Sequence, residues 1–264
     1  MNKSKLRLLL AVMNLTGFLV VVVVNALATT IPIGGKTTGQ ISDQYPNLFV
    51  PSGITFSIWG IIYILLGIFV VYSLIHSIRR SEQINDFIER IGILFIITCV
   101  ANASWIFSWH YEVLPLSLAC MAILLLTLVL IYQRLNVGTS VSESSEKYFV
   151  HLPMSIYLGW ITIATIANVT AVLVAYSWDR FGISEQVWAV IMIAIGVILG
   201  LITLFSRKDI FFALVVDWAV IGILIKQTAE NNAPAKGIII TSIIAICLLS
   251  IGILAQIARR KIYH

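Results

Sequence analysis

The sequence predicts an all-α fold, a polytopic membrane bundle of eight transmembrane helices. Three observations carry that reading: the composition, the number of long apolar runs, and the alternation of basic residues between them. Hydrophobic residues make up 59% of the 264-residue chain and charged residues 11%, with a mean hydropathy of +0.99. A soluble domain carries roughly 25% charged residues, so this chain lacks the polar side chains to cover a water-facing surface. A soluble globular enzyme, a disordered tail and a disulfide-stapled secreted domain are excluded on that ground.

A helix needs about 20 mostly apolar residues to cross the hydrocarbon core. Eight runs meet the requirement: Leu8–Thr29, Ile54–His76, Ile91–Trp109, Leu114–Gln133, Phe149–Tyr176, Val187–Phe205, Ile210–Thr228 and Gly237–Ala258. Thirteen of the seventeen basic residues fall on one side of this threading: Lys3, Lys5, Arg7, Arg79, Arg80, Arg90, Arg134, Lys147, Arg207, Lys208, Arg259, Arg260 and Lys261. Lys36, Arg180 and Lys236 fall on the other, and Lys226 ends the seventh run. The bias places both termini in the cytoplasm of a cell-membrane protein. It also accounts for the net charge of +5 without a nucleic-acid partner, because no soluble element gathers the basic residues on one face.

Taken in order, the first run follows three basic residues and contains Ala26-Leu27-Ala28, which resembles a signal-peptidase site. The run is longer than the 7–15 residues, roughly, of a signal h-region, so a retained helix is expected. The outer loop Ile31–Pro51 includes Gly34-Gly35-Lys36-Thr37-Thr38. This lacks the first glycine and the preceding strand of a phosphate-binding loop and reads as a flexible connection. In the second run Phe56, Trp59, Tyr63 and Gly67 share one helical face, as do Asn102, Trp105 and Trp109 in the third. In the fifth, Tyr157, Trp160, Ala164 and Asn168 repeat the spacing. Ser77–Arg90 and Leu135–Lys147 are the longer inner loops, and the second reads as a solvated cytoplasmic linker. The sequons at Asn14, Asn102 and Asn168 lie inside runs, out of reach of glycosylation, and Cys99, Cys120 and Cys247 form no C-x-x-C pair. The seventh run holds Asp217 near its middle; an ionisable group at that depth is either a functional candidate, here for proton coupling, or a structural carboxyl, protonated or hydrogen-bonded to a neighbouring helix.

The chain has no H-E-x-x-H, no G-x-S-x-G and no metal-ligand spacing, so neither a catalytic residue nor a metal site is nominated. Two readings of the aromatic and amide stripes stand at this point. They are helix–helix packing joined by buried amides, or a pocket in which rings stack on a flat ligand and amides orient it.

The stripes resemble the tryptophan-rich sensory protein family, also called the translocator protein or peripheral benzodiazepine receptor family. Pro51, Trp59, Tyr63 and Gly67 match its Pro-x7-Trp-x3-Tyr-x3-Gly. Asn102 and Trp105 match its Asn-x2-Trp, with Trp109 where phenylalanine is usual. Tyr157, Leu158, Trp160, Ala164, Thr165 and Asn168 match Tyr-Leu-x-Trp-x3-Ala-Thr-x2-Asn. Three motifs in order make the resemblance specific, and it covers Leu8 to Tyr176. It implies a five-helix core over residues 1–180; the typical member ends there, and residues 181–264 are read as a three-helix C-terminal membrane extension. It also implies a cavity, covered by the loop after the first helix, that binds a tetrapyrrole such as protoporphyrin or haem; no cofactor is required. The implied binding residues are Trp59, Tyr63, Asn102, Trp105, Trp109, Tyr157, Trp160, Ala164 and Asn168. The sequence departs from the family at Phe56-Ser57-Ile58-Trp59, which replaces Phe-x-Pro-x-Trp, and in lacking the Trp-Tyr pair of the first loop. The expected function is sensing or transport of a planar hydrophobic ligand. The expected partners are the lipid bilayer, that hydrophobic small molecule and a second copy of the chain in a homodimer. The alternatives are a proton-coupled transporter or permease subunit using Asp217, and a porphyrin-degrading membrane protein.

Overall fold

The structure is a computed structural model that describes residues 3–31, 33–79, 86–139, 143–229 and 236–262. Arg80, residues 140–142 of the serine-rich linker, and Pro32 lie outside the described residues, as do the side chains of Arg260 and Lys261.

The described residues form helices and no strands. In chain order they are α1 (Lys3–Thr30), the short α2 (Thr38–Asp43), α3 (Ile58–Arg79), the short α4 (Phe87–Ile91), α5 (Leu94–His110) and α6 (Leu114–Leu135). A one-turn α7 (Ser144–Glu146) continues through a π-helical turn, Lys147–His151, into α8 (Leu152–Ala175). α9 (Glu185–Ser206), α10 (Ile210–Ala229) and α11 (Lys236–Ile262) complete the chain. Local chemistry sets these limits. Ser184 caps α9 by accepting from Val187 N–H at 3.4 Å. Pro115 opens α6, where its missing N–H costs nothing, and Asn136 closes it in the left-handed conformation, φ 52°.

Seven helices among the described residues are long and apolar enough to cross a membrane. The third predicted run is the exception. Gly92, at φ 57°, ends α4 and its N–H bonds to Ile88 O at 2.8 Å. The long helix therefore begins only at Leu94 and has 17 residues, about 25 Å at 1.5 Å per residue.

Three local expectations are corrected. Part of the inner loop Ser77–Arg90 is α4, whose Phe87, Ile88 and Ile91 are buried and whose Asp86 accepts from Ile88 N–H at 2.8 Å. The outer loop is structured rather than a free connection, with a 3-10 turn at Ile33–Gly35 followed by α2. Phe56 does not share a helix face with Trp59, because Gly53–Ser57 is a 3-10 turn that precedes α3.

The chain divides into two compact units. The first comprises residues 1–38 and 59–158. Within it α5 packs against α6 and α1. The buried face of α1 is Leu10, Asn14, Phe18, Val21, Asn25 and Ala28, one stripe at helical spacing. Gly17 lets α1 approach α5, since a Cβ there would lie 3.3 Å from Cys99 Sγ. Beyond that apolar contact lies an ionic cluster. Arg7, 1% exposed, pairs with Glu89 at 2.7 Å and Asp86 at 3.7 Å, and Asp86 also meets His76 Nε2 at 2.8 Å.

The second unit comprises residues 39–58 and 159–264. Here α9, α10 and α11 pack on one another, with Gly200 of α9 seated against Val216 and Leu249. Most of the first loop belongs to this unit and lies along α10. Ser52 N–H donates to Gly222 O at 3.0 Å, Trp218 Nε1 to Thr55 O at 3.0 Å and Gln227 Nε2 to Leu48 O at 3.2 Å. Lys226 Nζ reaches Asp43 at 2.7 Å.

Candidate functional site

The first unit gathers six of the nominated residues. Tyr63, Trp59, Trp105 and Trp109 form one ladder of offset-stacked rings. Tyr63 to Trp59 is 5.5 Å between centroids at 16°, Trp59 to Trp105 5.9 Å at 29°, and Trp105 to Trp109 6.0 Å at 18°. Tyr157 meets Trp59 edge-on at 6.3 Å and 67°. The ladder exists because α3 and α5 each place two rings four residues apart, one turn along the same face, and the two pairs meet at Trp59 and Trp105. Offset and edge-on arrangements bring the negative ring face against a positive edge, worth about 0.5–1.5 kcal/mol per pair beyond burial.

A chain of polar groups runs among the rings. Asn25 Nδ2 of α1 donates to Asn102 Oδ1 at 2.9 Å, and Asn102 Nδ2 donates to Tyr157 OH at 3.1 Å. Asn102 is fully buried. Two buried donors of the ladder, Tyr63 OH and Trp105 Nε1, complete no hydrogen bond among the described residues. Leaving a buried polar group unpaired costs about 1–3 kcal/mol.

At the end of α5 the first loop is held down. Trp109 Nε1 donates to Thr38 O at 3.2 Å. His110 uses Nδ1 toward Ile33 O at 2.9 Å and Nε2 toward Thr38 Oγ1 at 3.2 Å, so both ring nitrogens are engaged. Gly34 is required there. Its φ is 70°, and a Cβ would lie 2.8 Å from His110 O.

The other three nominated residues belong to the second unit. Trp160 is buried and meets Phe56 edge-on at 5.9 Å and 84°. Asn168 is buried, and Ala164 is half-buried. Asp217 is 8% exposed. Its Oδ2 accepts from Ser250 Oγ of α11 at 3.2 Å, while Oδ1 has no partner among the described residues. Trp178 and Trp188 pack edge-on at 4.9 Å, both half-exposed, as anchoring residues at a membrane interface would be.

Sequence reasoning missed Asn25. Its signal was present, because Asn14 and Asn25 are eleven residues apart in an otherwise apolar run and so lie on one helical face. Among the described residues no three His, Cys, Asp or Glu side chains converge as a metal site.

No curated protein and no solved structure matches the chain. The sequence model of one family, described as TSPO-like protein, does match, over residues 11–255. That match runs on past the first five long helices and takes in α9, α10 and most of α11. With the three motifs on α3, α5 and α8, and the apolar helices that carry them, it establishes a multi-pass membrane protein, and the chain belongs to the TSPO-like protein family.

Proposed function

We propose that the protein binds a planar, hydrophobic small molecule, a tetrapyrrole such as protoporphyrin or haem, and acts in its sensing or transport. The observation that carries this reading is the ring ladder with two unpaired buried donors, Tyr63 OH and Trp105 Nε1, set among it. Packing alone explains stacked indoles. It does not explain why an indole N–H and a phenol of the ladder are buried without a completed hydrogen bond. On this reading Trp59, Tyr63, Trp105, Trp109 and Tyr157 supply ring contact and Asn102 orients the polar edge. Titration of the purified protein with protoporphyrin, haem and a sterol tests it. Saturable porphyrin binding that weakens in Trp105→Ala supports the reading, and absence of binding removes it.

The same proposal includes α5 as an eighth span, both termini in the cytoplasm of the cell membrane, and residues 1–180 as the binding core with 181–264 as its extension. A second reading rests on Asp217, a buried carboxyl that accepts a hydrogen bond from Ser250 of α11. If it couples protons to transport, ligand flux in proteoliposomes depends on an imposed proton gradient and Asp217→Asn abolishes that dependence. Unchanged gradient dependence in the variant excludes it.

A further inference from the structure

The buried face of α1 is polar at three levels. Arg7, Asn14 and Asn25 are buried, and their spacings of seven and eleven residues are close to two and three helical turns, so they lie on one face. Arg7 joins Glu89 and Asp86 at one level, and Asn25 joins Asn102 at another. Asn14 stands between them, 1% exposed, and its Oδ1 completes no hydrogen bond among the described residues. Gly17 of the same helix faces Cys99, and Cys99 is within electrostatic reach of Tyr63 and Tyr157. Polar side chains inside a membrane bundle are costly and mark water, proton or solute paths. Helix packing accounts for Asn25, which has its partner on α5, but not for Asn14.

At the Arg7 end stands α4. Its Phe87 lies on Tyr72 at 5.6 Å and 16° and against His76 at 4.9 Å, and Ile88 and Ile91 are buried with it. Charged side chains tie the same short element to the helices around it. Asp86 and Glu89 hold Arg7 of α1, and Asp86 also meets His76 of α3. Arg90 pairs with Glu146 of α7 and donates to Leu135 O of α6 at 3.2 Å, and Arg134 donates to Arg90 O at 3.4 Å. Gly92, at φ 57°, separates α4 from α5, so the element is not a rigid continuation of the long helix.

We propose that α4 is a plug. Seated on Arg7, it closes a polar path along the α1 stripe. Withdrawn, it admits water, protons and small hydrophilic solutes past Asn14 as far as Cys99 and the Asn25–Asn102 pair. The ion pairs define the closed position. A buried pair adds little stability over apolar side chains of similar size, but it fixes one arrangement, and losing one partner is strongly unfavourable, so the plug seats and releases as a unit. The path opens at the end of the first unit opposite the first loop, because His110, at the far end of α5, is the residue that holds Ile33 and Thr38. The inference concerns access from that end and holds whatever the ring ladder binds.

Cys99, 6% exposed, is a native reporter of the path. The test uses the full-length protein with Cys120→Ser and Cys247→Ser, and a charged methanethiosulfonate reagent applied from each side of the membrane. Separate single cysteines at Lys5 and Lys36 identify the two sides. Cys99 is expected to react slowly while α4 is seated. Glu89→Gln combined with Arg90→Gln should accelerate the reaction about tenfold or more from the Lys5 side and leave it within about twofold from the Lys36 side, because modification of a buried group tracks the population of the open form. Asn14→Leu, added to that protein, makes the path apolar and should remove most of the gain. General loosening of the fold would act from both sides and would not be reversed by Asn14→Leu. If the double variant does not purify as a folded species, Glu89→Gln alone decides: Arg7 keeps its contact with Asp86, and an acceleration of about threefold is expected. An unchanged rate from the Lys5 side, an equal gain from both sides, or a gain untouched by Asn14→Leu overturns the inference. No ligand enters the test, so its failure leaves the binding reading standing.

Discussion

A basic residue ahead of a membrane run ordinarily faces water at the headgroups, yet Arg7 is buried between two carboxylates of the α4 segment. Burying a guanidinium is tolerable only with partners in place, and removing one side of such a pair leaves an unpaired charge. Arg7→Met is therefore expected to lower stability by about 3 kcal/mol, read as a loss of melting temperature in detergent. Arg79→Met, at an exposed position, should change it by less than about 0.5 kcal/mol. At the candidate site, Asn102→Ala is expected to weaken porphyrin binding by about 1 kcal/mol and to alter ligand preference more than folding. Individual residues were legible in proportion to their pattern. Trp59, Trp105 and Trp109 stood out as large rings at helical spacing, and the structure stacks them. Asn25 was missed and Arg7 was read only as a flanking charge, because a single polar residue in an apolar run or a flanking charge carries no sign of the partner waiting on another helix. Asn25 finds its partner 77 residues away and Arg7 finds Glu89 82 residues away.

Among the elements, the segment 39–58 gives the sharpest test. Thr55 sits in a notch that exists only because residue 222 is glycine; a Cβ there would lie 2.0 Å from Thr55 Oγ1. Gly222→Ala should push the segment off α10, breaking Ser52 to Gly222 and Trp218 to Thr55, at a cost of about 1–3 kcal/mol typical of overpacking. Faster proteolysis between residues 39 and 58 is the expected readout, and Thr55→Gly in the same chain should restore protection. Protection unchanged in Gly222→Ala would mean that the notch does not hold the segment. Element limits were largely readable, since seven of the eight apolar runs reappear as helices long enough to span. The short pieces were not. α4 is five residues long, too short for an amphipathic period, although its Asp86-x-x-Glu89 start is a capping pattern. The 3-10 turn at Gly53–Ser57 looked like the first turn of α3 because its apolar residues continue the run.

For the whole molecule, the basic-residue bias makes orientation testable. Single cysteines at Lys36 and Lys236 in a cysteine-free background should react with an impermeant thiol reagent on intact cells, and one at Lys208 should not. Labelling at Lys208 from outside would reverse the threading. Truncation after Arg180 should leave the ring ladder of the first unit folded, but it strips residues 39–58 of every contact to α10. Protease sensitivity confined to that segment is the expected result. The family was readable from three motifs because they need fixed ring and amide spacing on single helices. That the family match extends to residue 255 was not readable, because α9 to α11 are mostly aliphatic and carry no comparable pattern. The central claim is that the ladder binds a flat ligand, and quenching of tryptophan fluorescence by protoporphyrin tests it most directly, with dissociation constants measured for wild type, Trp105→Ala and Trp188→Phe. The account predicts binding weakened by about 1–3 kcal/mol in Trp105→Ala and unchanged in Trp188→Phe. Equal dissociation constants in all three folded proteins would contradict it and leave the stacked rings as packing.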